Sequence, residues 1–176
     1  VNRSQLEHII RAAAANADTT DVVIIGSQSL LGSCAEPGLE VLIRSMEADV
    51  FPRDDPERAV LIDGAIGERS LFHETFGYYA HGVGRETAVL PEGWEERLIP
   101  LRNENTRGCT GWCLEPNDLA VSKLVAGRRK DLEFVGAMFA IKLAEPALVN
   151  DRFDTTLFST EKARRLAGQR LAALAK

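Results

Sequence analysis

Two stretches of this chain hold residue types that could do chemistry: Ile24-Ile25-Gly26-Ser27 and Ser45-Met46-Glu47-Ala48-Asp49-Val50-Phe51. In the first, a β-branched run meets a Gly-Ser turn at the head of a helix. That geometry presents backbone N–H groups to a phosphate. In the second, Glu47 and Asp49 stand at i and i+2 of a predicted strand, so both carboxylates leave the same face. Carboxylates side by side repel and cost stability unless a positive charge lies between them. A divalent metal bound to a nucleoside triphosphate supplies that charge, so the two stretches in this order point to phosphoryl or nucleotidyl transfer. Taken singly, each also has an ordinary reading, as a turn with a cap or as the solvated face of a strand.

A third constellation runs from Glu115 to Leu132. Asn117 or Asp118 can cap a helix there. Lys123, Gly127 and Lys130 fall at i, i+4 and i+7 and share one face of that predicted helix. Gly127 within it costs up to about 1 kcal/mol against Ala, which implies close approach of another segment or a ligand. The alternative is a solvated basic face with a satisfied Lys–Asp pair.

The elements that must position these residues follow from periodicity and punctuation. Leu6, Ile9, Ile10, Ala13, Ala14 and Ala17 predict an amphipathic helix over residues 4–17, with Ser4 as N-cap and Glu7 at capping-box spacing. Val22–Ile25 reads as a central strand and Ser27–Ser33 as a short helix. Residues 34–39 read as loop and 45–51 as the carboxylate strand. A helix through Ala59, Leu61, Ile62 and Ile66 follows, then a turn over Ser70–Glu74 and a strand over Phe76–Val83. Arg97–Leu101 and Cys109–Leu114 are the last strand candidates. From Pro116 the pattern is helical, continuous to about Leu143, with further helices from Pro146 and over residues 160–175. The expected fold class is α/β (α+β): a mixed β-sheet flanked by helices with a helical C-terminal part. The expected division is a principal domain over residues 1–145 and a C-terminal helical extension over 146–176.

Bulk properties agree with a globular protein: 45 % hydrophobic and 27 % charged residues over 176 positions, enough for one sizeable core. The formal charge of -5 argues against a surface that is basic overall, without excluding a local basic groove. Cys34, Cys109 and Cys113 lack zinc-knuckle or redox spacing, and no secretory signal precedes them, so reduced thiols in a cytoplasmic protein are expected. No apolar run is long enough to span a membrane.

The Gly26-Ser27 turn, the Glu47-x-Asp49 strand and the Lys123-x-x-Ala126-x-Arg128-x-Lys130-Asp131 helix together resemble the minimal nucleotidyltransferases of the DNA polymerase β superfamily. The similarity is to the branch that includes abortive-infection type toxins of toxin–antitoxin systems, and it covers roughly residues 4–140. The resemblance implies transfer of a nucleoside monophosphate from an NTP to an RNA or protein hydroxyl. Carried over, Gly26 and Ser27 contact the triphosphate, and Glu47 and Asp49 hold Mg²⁺ or Mn²⁺. Lys123 pairs with a triphosphate oxygen and Arg128 joins it in binding the nucleotide, while Arg128 and Asp131 each have the alternative of fixing the helix against the sheet.

Three features depart from the family pattern. Glu47 replaces an Asp, the interval from Ser27 to Glu47 is long, and no third carboxylate is evident. His81 is the candidate for that third place as base or metal ligand, with Glu95 and Glu96 as others. A catalytically degenerate fold that binds nucleotide or a protein partner is the alternative. RNA, tRNA included, would need Arg102, Arg107, Lys123, Arg128, Arg129 and Lys130 on one face, and Leu166, Leu171 and Leu174 could serve a partner contact or internal packing.

Overall fold

The computed structural model describes residues 1–175. The chain forms helix α1 (Arg3–Ala17), strand β1 (Asp21–Ile25), a 3-10 turn running into α2 (Leu30–Ser33), β2 (Glu47–Pro52), α3 (Ala59–Ile66) and α4 (Leu71–Phe76). It continues through β3 (Tyr79–Gly82), β4 (Ile99–Leu101), β5 (Thr110–Cys113), α5 (Pro116–Ala126), α6 (Arg129–Ala140), α7 (Pro146–Asp154) and α8 (Glu161–Leu174). The strands make a mixed five-stranded sheet in the order β3-β2-β1-β5-β4. β1 runs antiparallel to β2 and parallel to β5, and β2 runs parallel to β3. This is the α/β class expected, with a helical C-terminal region.

Strand alternation divides the core between the two faces of the sheet. Val22 and Ile24 of β1 pack with Ala48, Val50 and Ala80 against α1 and α3. Leu6, Ile9 and Ile10 of α1 are fully buried there, each contributing about 1.5–3 kcal/mol of burial. Val23, Ile25 and Phe51 face the other way, onto Leu119, Leu124, Phe134 and Met138 of α5 and α6. Leu171 of α8 is buried in this second cluster and Leu174 packs against it, so much of the apolar side of α8 is spent inside the chain, with Leu166 left exposed.

Several local expectations are corrected. Asn2, not Ser4, caps α1, and Gln5 completes its capping box. Glu7 is thereby free to turn inward. Residues 71–76 are helical, not a turn: Ser70 caps the segment, and Phe72 and Phe76 pack their rings around His8 of α1. Glu115 caps α5 through its carboxylate, whereas Asn117 Oδ1 accepts the Glu145 N–H at 2.8 Å and Asp118 receives Arg97.

The largest correction is at Gly127. The helix expected to run on to Leu143 stops there, with Gly127 in the left-handed conformation (φ 63) as the cap of α5, and α6 begins at Arg129. The close approach inferred from this glycine is real but comes from within the chain. The Arg170 guanidinium of α8 lies where a Cβ would be and donates to the Leu124 and Val125 carbonyls at 2.7 and 3.1 Å. That side chain covers carbonyls the helix end leaves unpaired.

The three cysteines are free thiols; Cys113 is fully buried, which pushes its thiol up to about 12. No helix among the described residues is long and apolar enough to cross a membrane.

A candidate active-site cleft

A cleft of about 700 Å³ opens at the end of the sheet where β1 finishes and β2 begins. Its lining includes Ser27, Glu47, Asp49, His81, Lys123 and Arg128. Five elements meet there, and each delivers its side chains for a local reason.

β1 ends at Ile25, and Gly26 turns the chain with φ 72 and ψ -167. An L-residue is strained at that φ, and a Cβ on Gly26 would collide with the Asp49 carboxylate. Glycine is therefore required twice, by the turn and by the neighbouring acid. Ser29 locks the turn by donating its hydroxyl to the Gly26 carbonyl at 2.8 Å. Ser27 follows the bend and reaches the cleft.

On β2, Ala48 and Val50 are fully buried toward α1 and α3, so Glu47 and Asp49 point to the opposite face. There they are half-buried beside the cleft, not turned into open solvent. β3 lies alongside with Tyr79 opposite Glu47 and His81 opposite Asp49. Tyr79 donates its hydroxyl to Glu47 Oε2 at 2.8 Å, and His81 Nδ1 is 3.1 Å from Asp49 Oδ1. Burial pushes the Asp49 carboxyl above the usual carboxylate range and the Glu47 charge adds to it, while His81 and Lys123 pull against them. Burial and then the Glu47 hydrogen bond push the Tyr79 phenol up, so it stays a donor.

The cationic wall comes from the break between α5 and α6. Lys123, in the last turn of α5, is buried and donates to Asp131 Oδ1 at 3.2 Å. Its Nζ also lies 5.3 Å from the centre of the Phe134 ring. Arg128 donates to the same carboxylate through Nε at 2.6 Å, and Asp131 Oδ2 accepts the Arg128 backbone N–H at the start of α6. Burial opposes ionisation of Asp131, but Arg128 and Lys123 together hold its carboxyl below the usual range. Asp131 is thus the internal counter-ion shared by both cations, and it ties the start of α6 to the last turn of α5.

Gly26, Ser27, Glu47, Asp49, His81, Lys123 and Arg128 are all brought together at this end of the sheet. Glu95 and Glu96 are not: they lie on a 3-10 turn outside the cleft, and Glu95 pairs with Arg85. The single basic face does not form either. Lys123, Arg128 and Lys130 border the cleft, whereas Arg102 and Arg107 act on Asp21 and His8 at the far end of β1 and on α1. The periodicity missed Tyr79 beside Glu47, and Phe134 and Arg44 in the cleft lining. The i, i+2 spacing of Tyr79 and His81 carried a signal, since it matches that of Glu47 and Asp49, but only the strand register brings the two pairs together.

No group of three or more His, Cys, Asp or Glu side chains gathers as a metal-binding set among the described residues. The pair Glu47 and Asp49 nevertheless fits a hard cation. Both offer carboxylate oxygens at an open cleft, and the carboxyl of Asp49 is held up by burial and by its neighbour's charge. Magnesium commonly takes one or two protein carboxylates and completes its shell with water and substrate phosphates.

The sheet order, flanking helices and cleft are consistent with a nucleotidyltransferase-like α/β fold. A family described as nucleotidyltransferase of unknown function (DUF6036) matches residues 4–172, nearly the whole chain. The chain belongs to that family. The match extends through α7 and most of α8, well past the residue-140 limit of the sequence resemblance. No curated protein and no solved structure shows significant similarity to it.

Proposed function

We propose that this protein transfers a nucleoside monophosphate from an NTP to a hydroxyl of an RNA or a protein, in the DNA polymerase β-like branch that includes abortive-infection type toxins. One observation carries the reading: Glu47 and Asp49 share a cleft with the Gly26-Ser27 turn, and Lys123 and Arg128 border it. Glu47 and Asp49 would hold Mg²⁺ or Mn²⁺. When bound, that ion supplies activation of the attacking oxygen and neutralises charge on the pyrophosphate leaving group.

The remaining roles belong to the chain itself. The Gly26-Ser27 turn offers N–H groups and the Ser27 hydroxyl to phosphate oxygens. Lys123 supplies a point charge, and Arg128 a planar fork suited to a phosphate edge. Asp131 keeps both aimed at the cleft. His81 contacts Asp49 and would accept the proton of the attacking hydroxyl. A cognate protein partner follows from the toxin resemblance.

The test is incubation with each α-labelled NTP, Mg²⁺ or Mn²⁺, and total RNA or lysate protein, comparing wild type with Asp49→Ala. Label on an acceptor in the wild type alone supports the reading. Nucleotide binding without label favours a nucleotide-binding or interaction module, a reading that the substitution of His81 for a third carboxylate keeps in view. Neither label nor nucleotide binding by calorimetry overturns both.

A further inference from the structure

β3 brings His81 to the cleft wall and sets a second side chain behind Glu47, which has no role in the reading above. Tyr79 stands opposite Glu47, and its hydroxyl donates to Glu47 Oε2 at 2.8 Å. The phenol ring is itself braced: the His73 ring of α4 lies 4.6 Å from it, centre to centre. His73 is held in turn by accepting the Arg69 N–H on Nδ1 at 3.1 Å. A chain of fixed groups therefore runs from α4 through Tyr79 to one oxygen of Glu47.

Glu47 needs such a hold more than Asp49 does. Its carboxylate is carried on one more rotatable bond, and freezing a glutamate side chain costs more entropy. Asp49 is already confined by Gly26 on one side and His81 on the other. For the Glu47 carboxylate, Tyr79 is the one side-chain hydrogen-bond partner among the described residues. The donor is also the right kind. An Arg or Lys at this position would neutralise the carboxylate, as Lys123 and Arg128 do to Asp131. A phenol fixes the group and leaves its charge available.

We propose that Tyr79 is a positioning residue for Glu47, holding Oε2 so that Oε1 is presented to a divalent cation in the cleft. The inference rests on the nucleotidyltransferase reading for the identity of that cation, and it concerns affinity for the ion, not the transfer step. Groups that orient metal-binding side chains typically contribute about 10–100-fold to metal affinity.

The experiment is Mn²⁺ binding followed by electron paramagnetic resonance, with and without an NTP, on wild type, Tyr79→Phe, Glu47→Ala, the double variant and Asp49→Ala. Thermal melts accompany each sample. The expected result is that Tyr79→Phe weakens Mn²⁺ binding about 10-fold with little change in melting temperature. In the Glu47→Ala background the same change has no further effect, because no carboxylate remains to be held. A residue of purely structural worth would weaken both backgrounds alike, and that outcome overturns the proposal. Equal Mn²⁺ affinity in wild type and Tyr79→Phe overturns it too, while leaving the nucleotidyltransferase reading standing. Absence of Mn²⁺ binding by the wild type under either condition removes the reading and the role of Tyr79 together.

Discussion

Glu7 and Asp49 are both carboxylates drawn into the protein, yet the chain completes one and leaves the other short. Glu7 on α1 is nearly fully buried and receives Arg3 Nε at 3.2 Å, Asn103 Nδ2 at 2.7 Å and Asn105 Nδ2 at 2.8 Å. Burial pushes its carboxyl up, but the hydrogen bonds from Asn105, Asn103 and Arg3 outweigh that and hold it below the usual range. Asp49 shows the opposite balance. Burial and Glu47 push its carboxyl up, and the His81 and Lys123 contributions do not restore it. The first carboxylate joins α1 to the turn before β5. The second sits at an open cleft, paired with a like charge and lacking a full counter-ion of its own. Such imbalances cluster at functional sites, and in the proposed reaction a metal-bound NTP would supply the missing positive charge.

The sharpest way to break this contrast is Asp49→Ala. It should lower nucleotidyl transfer by more than about 100-fold, a loss beyond that of orienting groups, while the melting temperature holds or rises. A comparable loss of stability would place Asp49 with Glu7 as a structural acid. Gly26→Ala comes next: the added Cβ meets the Asp49 carboxylate in an essentially glycine-only backbone conformation costing roughly 1–3 kcal/mol. Transfer should drop by about ten-fold or more, in proportion to lost Mn²⁺ or NTP affinity measured by calorimetry.

Glu7→Ala should act on stability alone. It leaves Asn103, Asn105 and Arg3 without their acceptor, at a cost of about 2 kcal/mol in chemical denaturation. The folded fraction should keep its transfer activity. Loss of turnover in that fraction would show that the two regions are coupled.

The smallest effects should have opposite signs with pH. A carboxyl lowered in the folded state stabilises above its unfolded value, and that gain is lost as pH falls through the folded value. Glu7→Gln should therefore lower the melting temperature at neutral pH, by a margin that shrinks in acid. A raised carboxyl does the reverse, since its ionised form disfavours the fold. Asp49→Asn should raise the melting temperature near neutrality, and the gain should vanish below the ordinary carboxylate range. Melts from acid to neutral pH on both variants check the two signs together.

The readable parts of the site ride on local pattern. Gly26-Ser27 ends a β-branched run, and Glu47 and Asp49 follow strand period, so type and spacing suffice. The missed parts depend on distant segments. Tyr79 becomes a partner of Glu47 only through the parallel register of β2 and β3, which neither strand encodes by itself. The break at Gly127 was hidden because Leu132, Val135 and Met138 continue the apolar spacing of Leu119 and Leu124. Periodicity reports which side is buried and is blind to a change of helix axis when the phase carries through. The same break gives Asp131 its place, since it lets Arg128 and Lys123 converge on one carboxylate. At α4, Phe72 and Phe76 supplied helical spacing, but the segment is short and flanked by Gly67 and Gly77, which favoured a turn.

In the proposed reaction the charge missing between Glu47 and Asp49 is brought by a metal-bound NTP whose α-phosphorus is attacked. Parallel incubations with α-labelled and γ-labelled NTP test it most directly, with pyrophosphate release followed in both. The expected result is α-label on the acceptor, γ-label only in pyrophosphate, and loss of both signals in Asp49→Ala. Label appearing on the acceptor from the γ-position, or transfer that survives Asp49→Ala, would contradict it.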